Sequence, residues 1–98
     1  MGMPNVRLGV DKSTGHKPCW PPTLPAVASI NVFCNGLAEV RVGDAYVTHC
    51  CPGLGCHQGT ALTGAVKTFT NGRLVHTLGG AIDCGDVAGM GSPNVFSG

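Results

Sequence analysis

Apolar and polar residues alternate along this chain only in short bursts, each broken by a turn-former. Ser29-Ile30-Asn31-Val32-Phe33-Cys34 leads into Asn35-Gly36, and Leu37-Ala38-Glu39-Val40-Arg41-Val42 leads away from it to Gly43-Asp44. Partial alternation with a period of two marks half-buried strands, and the Val, Ile, Phe and Thr content suits them. Asn-Gly between two such runs predicts a hairpin, because both central residues of a type I′ turn take positive φ. No window of about eleven residues or more carries a helical period. The expected fold class is all-β, built of short hairpins joined by Gly/Pro-rich loops.

The hairpin recurs. Thirty-six residues on, Lys67-Thr68-Phe69-Thr70-Asn71-Gly72 runs into Arg73-Leu74-Val75-His76-Thr77-Leu78-Gly79-Gly80, so Phe33 maps to Phe69, Asn35-Gly36 to Asn71-Gly72 and Gly43 to Gly79. A third copy is divided between the ends: Val6-Arg7-Leu8-Gly9 matches the descending arm and Asn94-Val95-Phe96 the ascending one. A linear solenoid would need capping units at its ends. Two whole copies and one split copy instead predict a closed pseudo-threefold arrangement. Its three sides should taper.

Composition narrows the function classes. The chain has 98 residues, 16 of them glycine and 7 proline, with 11% charged residues and a net charge of +1. That length suits one domain, 1–98, with a single thin core. The six Lys and Arg are scattered, which excludes the basic footprint of a nucleic-acid binder. The low charge leaves a surface that a partner should partly cover. The opening MGMPNVRLGV has no positive start followed by an apolar run, so a chain made in the cytosol without a secretory signal is expected. The uncharged stretches 19–38 and 45–66 are interrupted by Pro and Gly, so neither reads as a spanning helix. In such a chain six cysteines favour metal ligation over a disulfide framework, though a thin core needs a staple in either case.

Candidate ligands fall in equivalent loops. Counted from the glycine that ends each descending arm (Gly9, Gly43, Gly79), His16 is seven on, His49 six on and Cys84 five on. Threefold packing would bring these loops to one end and those residues to its axis. A fourth ligand comes from the long loop 51–58, as Cys56 or His57. Neighbours on an extended segment face opposite ways, so one of His49/Cys50 and one of Cys56/His57 should face the site. Mixed imidazole–thiolate sets suit zinc better than Mg²⁺ or Ca²⁺, with iron as the second choice. His76 sits at the register of Val40, away from the loops, and reads as structural. Cys34 lies mid-strand as a small core hydrophobe. Cys19 and Cys56 are expected to pair with each other or stay free, and the vicinal Cys50-Cys51 to be incidental.

Taken in order, these motifs resemble the PAAR-repeat proteins. The resemblance rests on the Asn35-Gly36 to Gly43-Asp44 hairpin, the loop ending His49-Cys50, Cys84-Gly85, and the closing Gly91-Ser92-Pro93-Asn94-Val95-Phe96. The opening Gly15-His16…Cys19-Trp20-Pro21-Pro22 resembles the subset associated with phage spikes. At the positions that name the family stand Ala38-Glu39-Val40-Arg41 in one hairpin and Leu74-Val75-His76-Thr77 in the other, where Gly79-Gly80 replaces Gly-Asp. An ion pair between Arg41 and Asp44 would therefore have no counterpart in that second unit.

The resemblance implies a small conical domain that tips a contractile injection machine, a phage tail spike or a type VI secretion spike. It implies a metal near the point, usually zinc held by three His and one Cys; by position these are His16, His49, His57 and Cys84. The partner would be a trimeric β-helical spike protein, one chain per trimer, with transient contact to a target membrane and no small-molecule substrate. Four protein ligands leave zinc no open position, so no enzymatic role is expected. Two alternatives stand beside this reading. One is a free-standing metal-binding or disulfide-stapled secreted module. The other, weaker, is a Cys56/His57 nucleophile–base pair, for which no orienting Asn or Asp is identifiable.

Overall fold

The computed structural model describes residues 2–98, and within them there are strands, turns and bridges but no helix. The strands are β1 (Met3–Pro4), β2 (Phe33–Cys34), β3 (Leu37–Ala38), β4 (His49–Cys51), β5 (Gly55–His57), β6 (Phe69–Thr70), β7 (Arg73–Leu74) and β8 (Phe96–Ser97). They pair only as antiparallel couples, β2 with β3, β6 with β7, β4 with β5 and β1 with β8. The all-β expectation holds.

Both Asn-Gly hairpins form as the sequence predicts. Asn35 and Gly36 have φ of 54° and 79°, and Asn71 and Gly72 have 53° and 78°, the left-handed pair that a type I′ turn demands. The split unit closes the same way, but from the two ends of the chain. Phe96 lies opposite Pro4 and Ser97 opposite Met3, as Phe33 lies opposite Ala38 and Phe69 opposite Leu74. In all three units the Phe is exposed, and the next residue, Cys34, Thr70 or Ser97, is buried. Cys34 is a buried thiol, as expected.

Below the hairpins the three descending arms cross in a closed ring. The Val6 amide donates to the His76 carbonyl (3.0 Å), the His76 amide to the Val40 carbonyl (3.0 Å), and the Val40 amide to the Val6 carbonyl (3.1 Å). Flanking bridges join Arg7 to Glu39, Arg41 to Val75 and Asn5 to Thr77. Val6, Val40 and His76 are each fully buried at the centre. This cycle of main-chain bonds is the pseudo-threefold that the repeat implied. Each arm then turns towards its ligand loop. Since the order along every arm is hairpin, ring, ligand, the hairpins gather on one side of the ring and the ligands on the other. The molecule is longer than it is wide, 39 × 25 × 22 Å.

The core is as thin as the length suggested. Val6, Val40 and Ala88 form one cluster, and Tyr46, Ala61 and Ile82 a second nearer the ligands. Buried charge supplements them. Arg41 grips Asp44 through its backbone amide, Nε and Nη2, each at 2.9 Å. Arg7 does the same to Asp11 at 2.8–2.9 Å. Thus the expected Arg41–Asp44 pair has its counterpart in the split unit, disguised by the extra residue Val10. The remaining unit has Thr77 and Gly80 at those positions. A Cβ on Gly80 would lie 2.9 Å from His76 Cε1 and 2.5 Å from the Thr63 carbonyl. His76 takes the space an aspartate would need, so its structural assignment stands.

Candidate metal centre

The four sequence-chosen residues meet. Ligand atoms of His16, His49, His57 and Cys84 all lie within 4.8 Å of one another. His16, His49 and Cys84 come from the three equivalent loops, as the repeat register required.

The fourth arrives by a route the sequence hid. Residues 51–58, expected as a loop, contribute strand β5 and the turn that leads to it. His49 lies opposite His57, Cys50 opposite Cys56, and Cys51 opposite Gly55. Directly opposed residues share a face, and faces alternate along a strand. One face therefore presents both imidazoles and the other both Cys50 and Cys56, which are joined as a disulfide with Cα atoms 4.0 Å apart. Returning to the inner face, Cys51 bonds to Cys19, with Cα atoms 5.1 Å apart. Alternation thus resolves the choice in favour of His49 and His57. It also corrects two expectations: Cys19 pairs with Cys51, not with Cys56, and the vicinal cysteines are both engaged. Four of the six cysteines are thus in disulfides, against the expectation that favoured ligation, while Cys84 stays free beside the three imidazoles. The signal in the sequence was the spacing of Cys50 and Cys56 about a Gly-rich turn.

Hydrogen bonds fix which ring nitrogens face inwards. His49 Nδ1 is 2.7 Å from the Pro21 carbonyl and His16 Nδ1 is 3.3 Å from the Lys17 carbonyl. A carbonyl only accepts, so both Nδ1 atoms carry protons, and in the neutral ring each Nε2 then presents a lone pair. Orientation of a ligating imidazole through its other nitrogen is the usual support in metal sites. The three Nε2 atoms converge: His49 to His57 at 2.7 Å, His16 to His57 at 2.9 Å and His16 to His49 at 3.3 Å. A proton on His57 Nε2 could serve one neighbour but not the lone-pair contact between His16 and His49. A cation at their centre satisfies all three at once. Desolvation, then His49 and His16, hold His57 below the usual imidazole value, which favours the neutral form that ligates.

Cys84 completes the set. It is a free thiol, pushed up chiefly by burial. Gly59 makes room for it, since a Cβ there would sit 2.7 Å from Cys84 Sγ and 2.5 Å from Ile82 Cγ2. Trp20 covers another side: its indole stacks on His16 at 4.8 Å and on His57 at 4.6 Å between ring centroids. The donor set, three imidazoles and one thiolate converging in tetrahedral number, suits a divalent borderline-soft metal. Four protein ligands would leave such an ion no open coordination position.

Comparison with protein-family models and with curated proteins gave no match.

Proposed function

We propose that this protein is a PAAR-like spike tip of a contractile injection machine. In this reading a zinc ion on His16, His49, His57 and Cys84 locks the narrow end. The hairpin side caps a trimeric β-helical spike, one chain per trimer.

The observation that carries it is the threefold pattern of apolar side chains left uncovered on the hairpins. Phe33, Phe69 and Phe96 are 62%, 62% and 55% exposed, and Ile30 and Val66 are 90% and 79% exposed. They occupy matching positions in the three units, with Pro93 exposed at the third equivalent of Ile30. A monomer has no use for an apolar set with that symmetry, and exposed apolar patches mark interaction sites. A trimer offers each unit the same neighbour. Both ends of the split hairpin and the paired edges β2–β3 and β6–β7 stand ready to continue a partner's sheets.

A structural zinc site contributes about 10–16 kcal/mol of apparent binding free energy, comparable to the whole stability of a small domain. That matters where three loops meet beyond the reach of the core. The two disulfides favour a second reading, a free-standing stapled module. Light scattering and elemental analysis of the protein mixed with a purified trimeric β-helical spike separate the two. One chain and one zinc per trimer is expected; a metal-bearing monomer indifferent to every such spike would favour the module.

A further inference from the structure

Asp86 is a buried acid without a cation. It is 2% exposed, its Oδ2 has no hydrogen-bond partner, and among the described residues it makes no ion pair with Arg, Lys or His. The other buried aspartates, Asp11 and Asp44, are each held by an arginine fork. Burying an unpaired carboxylate is costly, so something else must offset its charge.

Its surroundings identify that something. Asp86 Oδ1 accepts from Thr14 Oγ1 at 3.1 Å, and Thr14 stands two residues before His16. Oδ1 also accepts from the Val87 amide at 2.8 Å. Asp86 itself stands two residues beyond Cys84, and its backbone carbonyl accepts from the Ile82 amide at 2.9 Å. It therefore touches two ligand loops while standing outside the ligand set. A divalent ion with three neutral imidazoles and one thiolate carries a single positive charge. One buried carboxylate makes the assembly neutral, and Asp83, the other acid of this loop, is exposed to water.

We propose that Asp86 is a positioning residue of the metal centre, whose unpaired carboxylate neutralises the His16–His49–His57–Cys84 site when a divalent ion is bound and whose Oδ1 tethers the His16 loop to the Cys84 loop. The inference rests on the metal reading and adds a charge requirement to it: the site selects a divalent ion. Without the ion, the same carboxylate is a liability.

That opposition gives the test. Full-length wild type, Asp86→Asn and Thr14→Val are titrated with Co²⁺ against a competing chelator, and melting is followed with and without the metal. Co²⁺ reports on the thiolate through its charge-transfer band, and the lone Trp20 gives an independent fluorescence signal. Asp86→Asn should bind Co²⁺ about 10–100-fold more weakly, the range typical of lost outer-shell partners. It should shift the charge-transfer band, yet melt no lower than wild type when metal-free. Thr14→Val, which keeps the charge and loses the tether, should weaken binding less. Equal Co²⁺ affinity in Asp86→Asn, a metal-free melting point well below wild type, or an equal loss in Thr14→Val overturns the proposal. Wild type that binds no Co²⁺ removes the metal reading itself, and this inference with it.

Discussion

His76 occupies, in one arm, the ring position that Val6 and Val40 occupy in the others, and it changes the local chemistry accordingly. Its Nδ1 donates to the Thr63 carbonyl at 2.8 Å, so its Nε2 accepts from the Tyr46 hydroxyl at 3.0 Å. Burial holds the imidazole below its usual value, against the Thr63 bond and Asp44, which favour the charged form. The folded chain therefore binds fewer protons here than the unfolded one. Its contribution to stability is complete above about pH 6.5 and is lost as pH falls towards the folded value. Urea midpoints measured between pH 7.5 and 5 should fall for wild type and fall less for His76→Val. The variant should also lose about 1–3 kcal/mol at neutral pH, because the Thr63 carbonyl and Tyr46 hydroxyl lose their partner. At the metal centre, His16→Ala and Cys84→Ser should each lower zinc content and melting temperature together, read by elemental analysis and calorimetry. Unchanged melting in a zinc-free variant would count against a structural ion. These ligand positions were legible because the repeat supplied a register. Asp86 and Trp20 were not, since nothing in a lone Asp or Trp records what packs against it.

Among the elements, legibility followed the turns. The Asn-Gly hairpins announce themselves because two positive φ angles restrict the sequence severely. The turn between β4 and β5, Pro52-Gly53-Leu54, carries no Asn-Gly, although Gly53 and Gly55 also take positive φ, and a three-residue strand has too little pattern to reveal it. Its order comes instead from side-chain links: the Cys50–Cys56 disulfide and the convergence of His49 with His57 within the hairpin, and the Cys51–Cys19 disulfide across the chain. The Cys19–Cys51 bridge spans a sequence separation of 32, which in the chain-entropy account contributes about 3–4 kcal/mol. Reduction under non-denaturing conditions should lower the melting temperature and weaken zinc binding, because the ligand hairpin loses its clamps. Gly59→Ala makes the complementary test. Its methyl group would displace Cys84, so zinc retention should fall while the three hairpins, judged by their amide spectra, stay in place.

For the whole molecule, the order hairpin, ring, ligand divides labour between two ends. The apolar set on the hairpins is available for a partner without disturbing the centre. Phe33→Ser, Phe69→Ser and Phe96→Ser together should abolish association with a trimeric spike yet leave zinc content unchanged, by pull-down and elemental analysis. Each Phe fully buried in an interface is worth roughly 1.5–3 kcal/mol, so single variants should weaken binding in steps. Similar losses from each would fit a threefold partner; a loss confined to one would not. The split unit was readable as a repeat, but the Arg7–Asp11 pair inside it was not, because one inserted residue shifted its spacing.

The ring of Val6, Val40 and His76 amides has a mechanical consequence. Each carbonyl is held by the next arm and each amide holds the previous one, so the circuit has no first link from which to peel. Thrust along the axis is shared among three equal struts, and yielding at one strut releases the other two. Deuterium should enter all three amides at a common slow rate, set by opening of the entire circuit rather than by fraying of any single strut.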